Sequence, residues 1–282
     1  MQSQLKTLCL LVSLLCLTGC GAANLVYNSA PTLVAAEFDD AFDLSETQSD
    51  QLDAALQDFF DWHREYELPR YQQMLESASL AVSDGITAKE LNAIYADVEA
   101  AARRAGARLI DDIGELAATL TPEQIDHYET YHEENGERFR DYLAMSPQQR
   151  EIFRTQRSLK RMQNWFGRMD EWQQERIARQ LQPLPDGRST WIAFREDRHR
   201  VLVEAMRSAD EDGLTPAQLK YILVDPTSKH AQAYEPERIA YFRAYADFIE
   251  ELSPQLSKAQ LRHAAERLEY FAEIIEDIRQ SG

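Results

Sequence analysis

His63 and Glu67 stand four residues apart in the segment FFDWHREYELPRY, residues 59–71. Histidine changes charge near neutral pH, and a carboxylate one helical turn away can orient or neutralise it. Such a pair can serve as a general base, a ligand or a pH-sensitive strut. At about 100° per residue, Leu52, Leu56, Phe59, His63 and Tyr66 share one helical face. Asp50, Asp53, Asp58, Asp61 and Glu65 fall away from it. His63 therefore lies inside an apolar stripe. The plainer reading is a core histidine bonded to Glu67 at a helix end, where Pro69 redirects the chain.

A second constellation is a pair of E-x-x-H matches, Glu129/His132 and Glu196/His199. Ferritin-like di-iron bundles use two such pairs, with a further Glu from each of two other helices. Glu129 and His132 lie on the face of Ile125, Tyr128, Phe139 and Leu143. His199 shares a face with Ile192, Leu202 and Met206, and Glu196 sits at its edge. No motif singles out the remaining two glutamates, so metal-dependent redox chemistry stays a remote alternative. Each pair reads more simply as a local hydrogen bond at a helix contact. The chain has no phosphate-cradling glycine loop, no nucleophile elbow, no H-E-x-x-H spacing and no cysteine cluster. Neither an enzymatic activity nor a cofactor, metal or nucleotide is expected.

The third constellation is basic. On a helix expected over 147–181, Arg150, Arg154, Arg157, Arg161 and Arg168 fall within about 60° of one another. Trp165 and Trp172 lie beside them. Residues 150–179 carry eight basic and four acidic side chains, whereas residues 37–67 carry eleven acidic and one basic. Guanidinium forks and indole faces suit phosphate, glycan or carboxylate groups, which makes this stripe the candidate binding surface. The alternatives are a solvated face, or a face covered by the acidic N-terminal helices.

The elements that must position these residues announce themselves by their starts. An apolar residue, Ser or Thr, often Pro, then Gln or Glu recurs as LSETQ (44–48), ITAKE (86–90), LTPEQ (120–124), MSPQQ (145–149), LTPAQ (214–218) and LSKAQ (256–260). The hydroxyl caps the third amide of a helix, proline suits the first position, and Gln or Glu reaches back to close a capping box. The chain therefore reads as all-α, a bundle-like body of about nine to ten helices. They are expected over 31–42, 46–67, 70–83, 87–118, 122–143, 147–181, 189–211, 216–224, 235–251 and 257–279. One domain is expected over 31–282, with two lobes meeting, if anywhere, at the Pro-rich break near 183–188.

The N-terminus carries an address. Lys6 precedes an apolar run from Thr7 to Leu17, about the length of a signal-peptide core and too short for a spanning helix. Leu17-Thr18-Gly19-Cys20 has the form of a lipobox and resembles the substrate of lipoprotein signal peptidase. Residues 1–19 are thus expected to be removed and Cys20 to carry the lipid. Cys9 and Cys16 leave with the signal, so Cys20 is the mature chain's single thiol. Residues 20–30 would form a lipid-anchored tether of at most roughly 35 Å. Gly21 stands where an inner-membrane retention signal would have aspartate. By resemblance to triacylated lipoproteins, the body belongs on the outer membrane, facing the periplasm. The net charge of −18 becomes −19 without Lys6, which disfavours nucleic acid as a partner.

WHRxxELPxY at 62–71, with LVYN at 25–28 and FDDAFDLS at 38–45, resembles a family of uncharacterised proteobacterial lipoproteins that share a helical domain of unknown function. That resemblance implies an address and a fold class, and no catalytic residue. The expected function is a non-enzymatic binding or structural component of the envelope, in contact with an unidentified envelope partner. An alternative is a periplasmic chaperone or stress sensor, since LTPEQ and LTPAQ are similar to the LTxxQ elements of small helical periplasmic chaperones.

Overall fold

All six capping signals start a helix in the computed structural model, which describes residues 20–209, 214–225 and 228–281. The expected signal peptide, 1–19, lies outside the described residues. Helix α1 is Cys20–Asn28 and α2 is Ala30–Phe42. Ser45 and Gln48 close the box that opens α3, Glu46–Trp62. A π-helical turn, His63–Glu67, joins α3 to α4, Leu68–Ser83. Thr87 and Glu90 open α5, Ala88–Ala117. Thr121 and Gln124 open α6, Pro122–Asn135, and α7 is Glu137–Ala144. Ser146 and Gln149 open α8, Pro147–Phe166, and α9 is Glu171–Leu181. Asp186 caps α10, Gly187–Ser208, and Thr215 with Gln218 opens α11, Pro216–Leu223. Helix α12 is Lys229–Leu252, and Ser257 with Gln260 opens α13, Lys258–Gln280. The described residues contain no strand, so the fold is all-α.

Helix α13 lies along α4, and Ala78, Val82, Ala264 and Leu268 meet Phe166, Met169 and Ile177 from α8, the turn after it and α9. Ser79 Oγ donates to the Ala265 carbonyl at 3.2 Å, a polar contact made inside this seam. A second core joins Ile110, Ile125, Val203, Met206, Leu214 and Leu219 from α5, α6, α10 and α11 and the turn before α11. The acidic helices α2 and α3 pack on α5 and α6. The main neighbours of α8 are instead α9 and α13, so the acidic helices do not cover the arginine stripe. No helix among the described residues is long and apolar enough to cross a membrane.

Four departures from the expected elements have identifiable causes. Residues 20–28 form a helix, not an extended tether, and Ala23 is buried against Leu68, Ile274 and Ile278. The stretch 46–83 stays helical through Pro69. The Leu68 N–H bonds the His63 carbonyl five residues back, and this wider turn makes room for the proline ring. The helix expected over 122–143 divides at Gly136. The one expected over 147–181 divides at Gly167, whose φ of 74° is open to glycine at little cost. Asp170 and Gln173 then form a capping box that opens α9, a start whose aspartate cap escapes a search for Ser or Thr.

Candidate functional site

The π-turn resolves the first constellation and corrects it. An additional residue in the turn rotates everything after it, so Tyr66 is 50% exposed while Glu67 is 0% exposed. Glu67 does not pair with His63. Its two oxygens accept from Arg104 Nε and Nη2, each at 2.7 Å, and Oε1 also accepts from Arg70 Nη1 at 2.5 Å. The bond from Arg104 holds the Glu67 carboxyl below its usual range, against the opposing effect of burial. His63 Nδ1 instead meets the Tyr27 hydroxyl at 2.9 Å, with the Tyr71 ring 5.4 Å away. Burial pushes the imidazole toward its neutral form, and the Glu67 charge partly counters that. Arg64 completes the seam, donating to the Ile278 carbonyl at 2.9 Å and to Asn28 Oδ1 at 2.6 Å. These contacts fasten α1, α4, α5 and α13 together.

The E-x-x-H pairs partly converge, in a way their spacing does not show. The His132 and His199 rings stack 3.5 Å apart at 8°. His132 Nε2–H is assigned as donating to Glu196 Oε2 at 3.0 Å, because a carboxylate only accepts, and Nδ1 as accepting from Arg195 Nη2 at 3.2 Å; Arg195 Nη1 also stands 3.2 Å from Nε2. Glu129 is diverted to Arg207, which also holds Asp126, so neither motif forms the internal Glu–His bond expected of it. Parallel rings aim their nitrogen lone pairs along parallel planes, with no shared focus. No group of three or more His, Cys, Asp or Glu side chains among the described residues is arranged to hold a metal ion. Burial and the neighbouring His132 push the His199 pKa down to about 4. Burial also lowers the His132 pKa, against the opposing bond to Glu196. The cluster is a neutral imidazole pair between a carboxylate and a guanidinium.

The basic stripe is divided by the break at Gly167. Arg150 donates to the Leu143 carbonyl at 3.2 Å, and Arg154 Nη1 donates to the carbonyls of Leu184 and Pro185 at 3.0 and 2.9 Å. Arg154 thereby grips the Pro-rich break before α10, and Arg150 Nε reaches its Asp186 carboxylate at 3.6 Å. Trp165 packs edge-on against Phe271, with the Arg267 guanidinium 5.5 Å from its ring. Arg168 lies past the break, and its carbonyl accepts from Gln260 Nε2 at 3.0 Å. Trp172 belongs to α9 and is 57% exposed beneath Arg176.

Arg154, Arg157 and Arg161 do share a cavity, of about 130 Å³, with Arg188 from α10 and Tyr241 and Tyr245 from α12. No carboxylate among the described residues lines it. Among the described residues the buried Nε atoms of Arg154 and Arg188 have no hydrogen-bond partner, and a carboxylate oxygen of Asp186 stands 3.9 Å from Arg154 Nε. The Arg188 guanidinium lies over the rings of Tyr142 and Phe153, at 4.8 and 5.5 Å. Burial, and next the charge on Arg157, make its cationic form harder to hold than usual. Arg161 bonds Tyr245, whose own pKa is pushed up to about 12 by burial. Several guanidinium groups thus crowd a small space with unused donors. Arg188 escapes a reading of α8 alone, because no spacing rule links it to that stripe.

The segment 62–71 and the arginines of α8 both fall inside the region of the chain that matches a known family. No curated protein and no solved structure matches the chain. With residues 40–235 matched, more than half of its length, the chain belongs to the family of unknown function designated DUF6279.

Proposed function

We propose that this chain is a lipid-anchored protein of the outer membrane, facing the periplasm, that binds an anionic component of the envelope without catalysing a reaction on it. The observation that carries the reading is the cavity lined by Arg154, Arg157, Arg161 and Arg188, with no carboxylate among the described residues in its wall. Arginine forks are suited to phosphate and carboxylate oxygens, and buried donors gain from an acceptor brought to them. An acidic body repels anions at long range, so a local cationic cavity makes that affinity selective. The address rests on Leu17-Thr18-Gly19-Cys20 and on the single thiol of the mature chain.

Inorganic phosphate, followed by phosphorus NMR line broadening, tests the site. Broadening that saturates, and that Arg157→Glu with Arg161→Glu removes, is the expected result. Broadening unchanged in that double variant refutes the site. For the address, Cys20→Ala should move the protein from the membrane fraction to the soluble periplasm, and a variant still in the membrane refutes the anchor. LTPEQ and LTPAQ open α6 and α11 as capping boxes, so both motifs have a role in the fold.

A further inference from the structure

Tyr241 and Arg188 face two cavities. On one side is the arginine cavity of about 130 Å³; on the other is a groove of about 730 Å³ between α10 and α12, closed by α5 and α11. Gly187, Arg188 and Tyr241 line both, so the two spaces adjoin. The groove carries Trp191, Phe194, Tyr234, Phe242 and Val224. Its aromatic wall is built: Phe194 meets Tyr234 edge-on at 5.8 Å, and Tyr241 meets Phe242 at 5.5 Å. Trp191, which heads this wall, is 49% exposed. The volume falls in the roughly 300–1,000 Å³ range typical of sites for small ligands.

The groove carries charges of its own, several of them already engaged: Arg238 is held by Glu99 and Glu235, Arg103 meets Glu99 at 3.8 Å, and Arg198 lies over the Phe194 ring at 5.2 Å. In the adjoining cavity, Arg157 and Arg188 have no carboxylate within ion-pairing distance among the described residues. The small cavity is several times the roughly 10–15 Å³ that one water needs, which suits an anionic head group and not a chain. The two spaces meet where Gly187 lies against Tyr241. A Cβ there would stand 2.6 Å from the Tyr241 ring, so only glycine lets Tyr241 lie against the start of α10.

Resting on the anion-binding reading, we propose that the ligand is an anionic amphiphile with a single acyl chain. Its head group is held by Arg157, Arg161 and Arg188, and its chain lies along the aromatic groove between α10 and α12. The long apolar space and the cluster of unmatched guanidinium groups meet at one residue pair, Gly187 and Tyr241. A free inorganic anion would use only the first cavity, and a neutral oil only the second. A molecule with both parts uses the two together.

The experiment uses the full chain in nanodiscs of neutral phosphatidylcholine, with dansyl-labelled undecanoic acid as the probe. Saturable emission from one site per chain is expected, displaced by oleate or by lysophosphatidic acid. The acid that displaces it more strongly identifies a carboxylate or a phosphate head, and displacement by neither overturns the proposal. Arg157→Gln with Arg188→Gln should weaken the probe by about tenfold or more, the scale of one lost bond to a charged group. Arg157→Gln alone, at an exposed position, guards against a misfolded double variant and should weaken it measurably. Ala231→Trp fills the groove and should abolish probe binding while leaving the phosphate signal intact. Phosphate binding with no probe binding, or equal binding of the dansyl-labelled alcohol, overturns the amphiphile and leaves the anion site standing. Loss of both phosphate and probe in the unaltered chain overturns both readings.

Discussion

Replacing Glu67 by glutamine asks whether the Glu67–Arg104 pair or the expected His63–Glu67 pair fastens the helices together. Glu67 is 0% exposed and accepts three charge-assisted hydrogen bonds, at 2.7, 2.7 and 2.5 Å. A bond to a charged group is worth roughly 1.5–3 kcal/mol, and contributions of this kind do not add. The Arg104 and Arg70 side chains are 38% and 54% exposed, so each regains water when released. Glutamine keeps one acceptor but turns its amide donors toward guanidinium donors. The expected loss is therefore about 2–3 kcal/mol at neutral pH, below the roughly 3–5 kcal/mol seen when a fully buried pair loses one partner. Urea unfolding followed by helical circular dichroism measures it. The sign of the pH dependence is fixed by the lowered pKa of Glu67 in the fold. Its stabilisation is complete above the ordinary value of 4.5 and is lost as pH falls through the lower folded value. The gap between the two proteins should thus be full at neutral pH and narrow below about pH 4.5. A double-mutant cycle with Arg104→Met should give a coupling above about 1 kcal/mol, and a cycle with His63→Gln a smaller one. A loss under about 0.5 kcal/mol, or a gap that ignores pH, refutes the reasoning.

Other perturbations give equally direct outcomes. With the His199 pKa pushed down to about 4, its neutral form stabilises the fold above the ordinary value of 6.5, and this is lost as pH falls through about 4. His199→Phe should flatten that part of the stability profile, and an NMR titration midpoint above 6 for this ring contradicts the stacked, buried arrangement. Tyr27→Phe removes the bond to His63 Nδ1 and should cost about 1 kcal/mol in urea unfolding, with no change marking the contact as incidental. Gln48→Glu should destabilise by about 1–3 kcal/mol, because its amide donates to Thr119 and to Gln124 inside the protein. Gln149→Glu, at an exposed capping box, should stay within about 0.5 kcal/mol of the parent, and equal losses at the two positions contradict the distinction.

The helix starts were legible because a capping box is local: four consecutive residues, with a hydroxyl at one end and Gln or Glu at the other, decide it. The second use of the same side chains was not. Gln48 and Gln124 exchange amide hydrogen bonds, at 3.2 and 2.8 Å, across α3 and α6. Gln173 and Gln260 repeat the arrangement at 3.1 and 3.2 Å across α9 and α13. Glutamate closes a box equally well, as Glu90 does at α5, but it has no donor left for a partner. Two helix starts are thereby bolted together by the residue type alone, a distinction visible only when the other start is known. The π-turn was hidden for a related reason. Phasing at a constant angle carries no sign of an inserted residue, so it placed Tyr66 inward and gave Glu67 to His63.

The same limit explains why Arg188 was missed as a member of a site and why the two histidines were given the wrong carboxylate partners. Periodicity assigns a residue to a face, and a site is made where faces of different helices meet. His132 and Glu196 belong to separate E-x-x-H motifs, yet they bond to each other, and Glu129 leaves its own histidine for Arg207. The arginines of α8 acquire a cavity because Arg154 holds the Leu184 and Pro185 carbonyls, which sets the chain for the Asp186 cap and the start of α10. Arg188 then follows one residue after Gly187, where Tyr241 can approach closely only because Gly187 has no Cβ. The break near 183–188, legible in the sequence as a proline-rich interruption, is therefore the element that turns a row of cations on one helix into a lined cavity. Were α9 and α10 one continuous helix, the Leu184 and Pro185 carbonyls would not be presented to Arg154, and the α8 arginines would face water, where separated like charges have no reason to seek an anion in common.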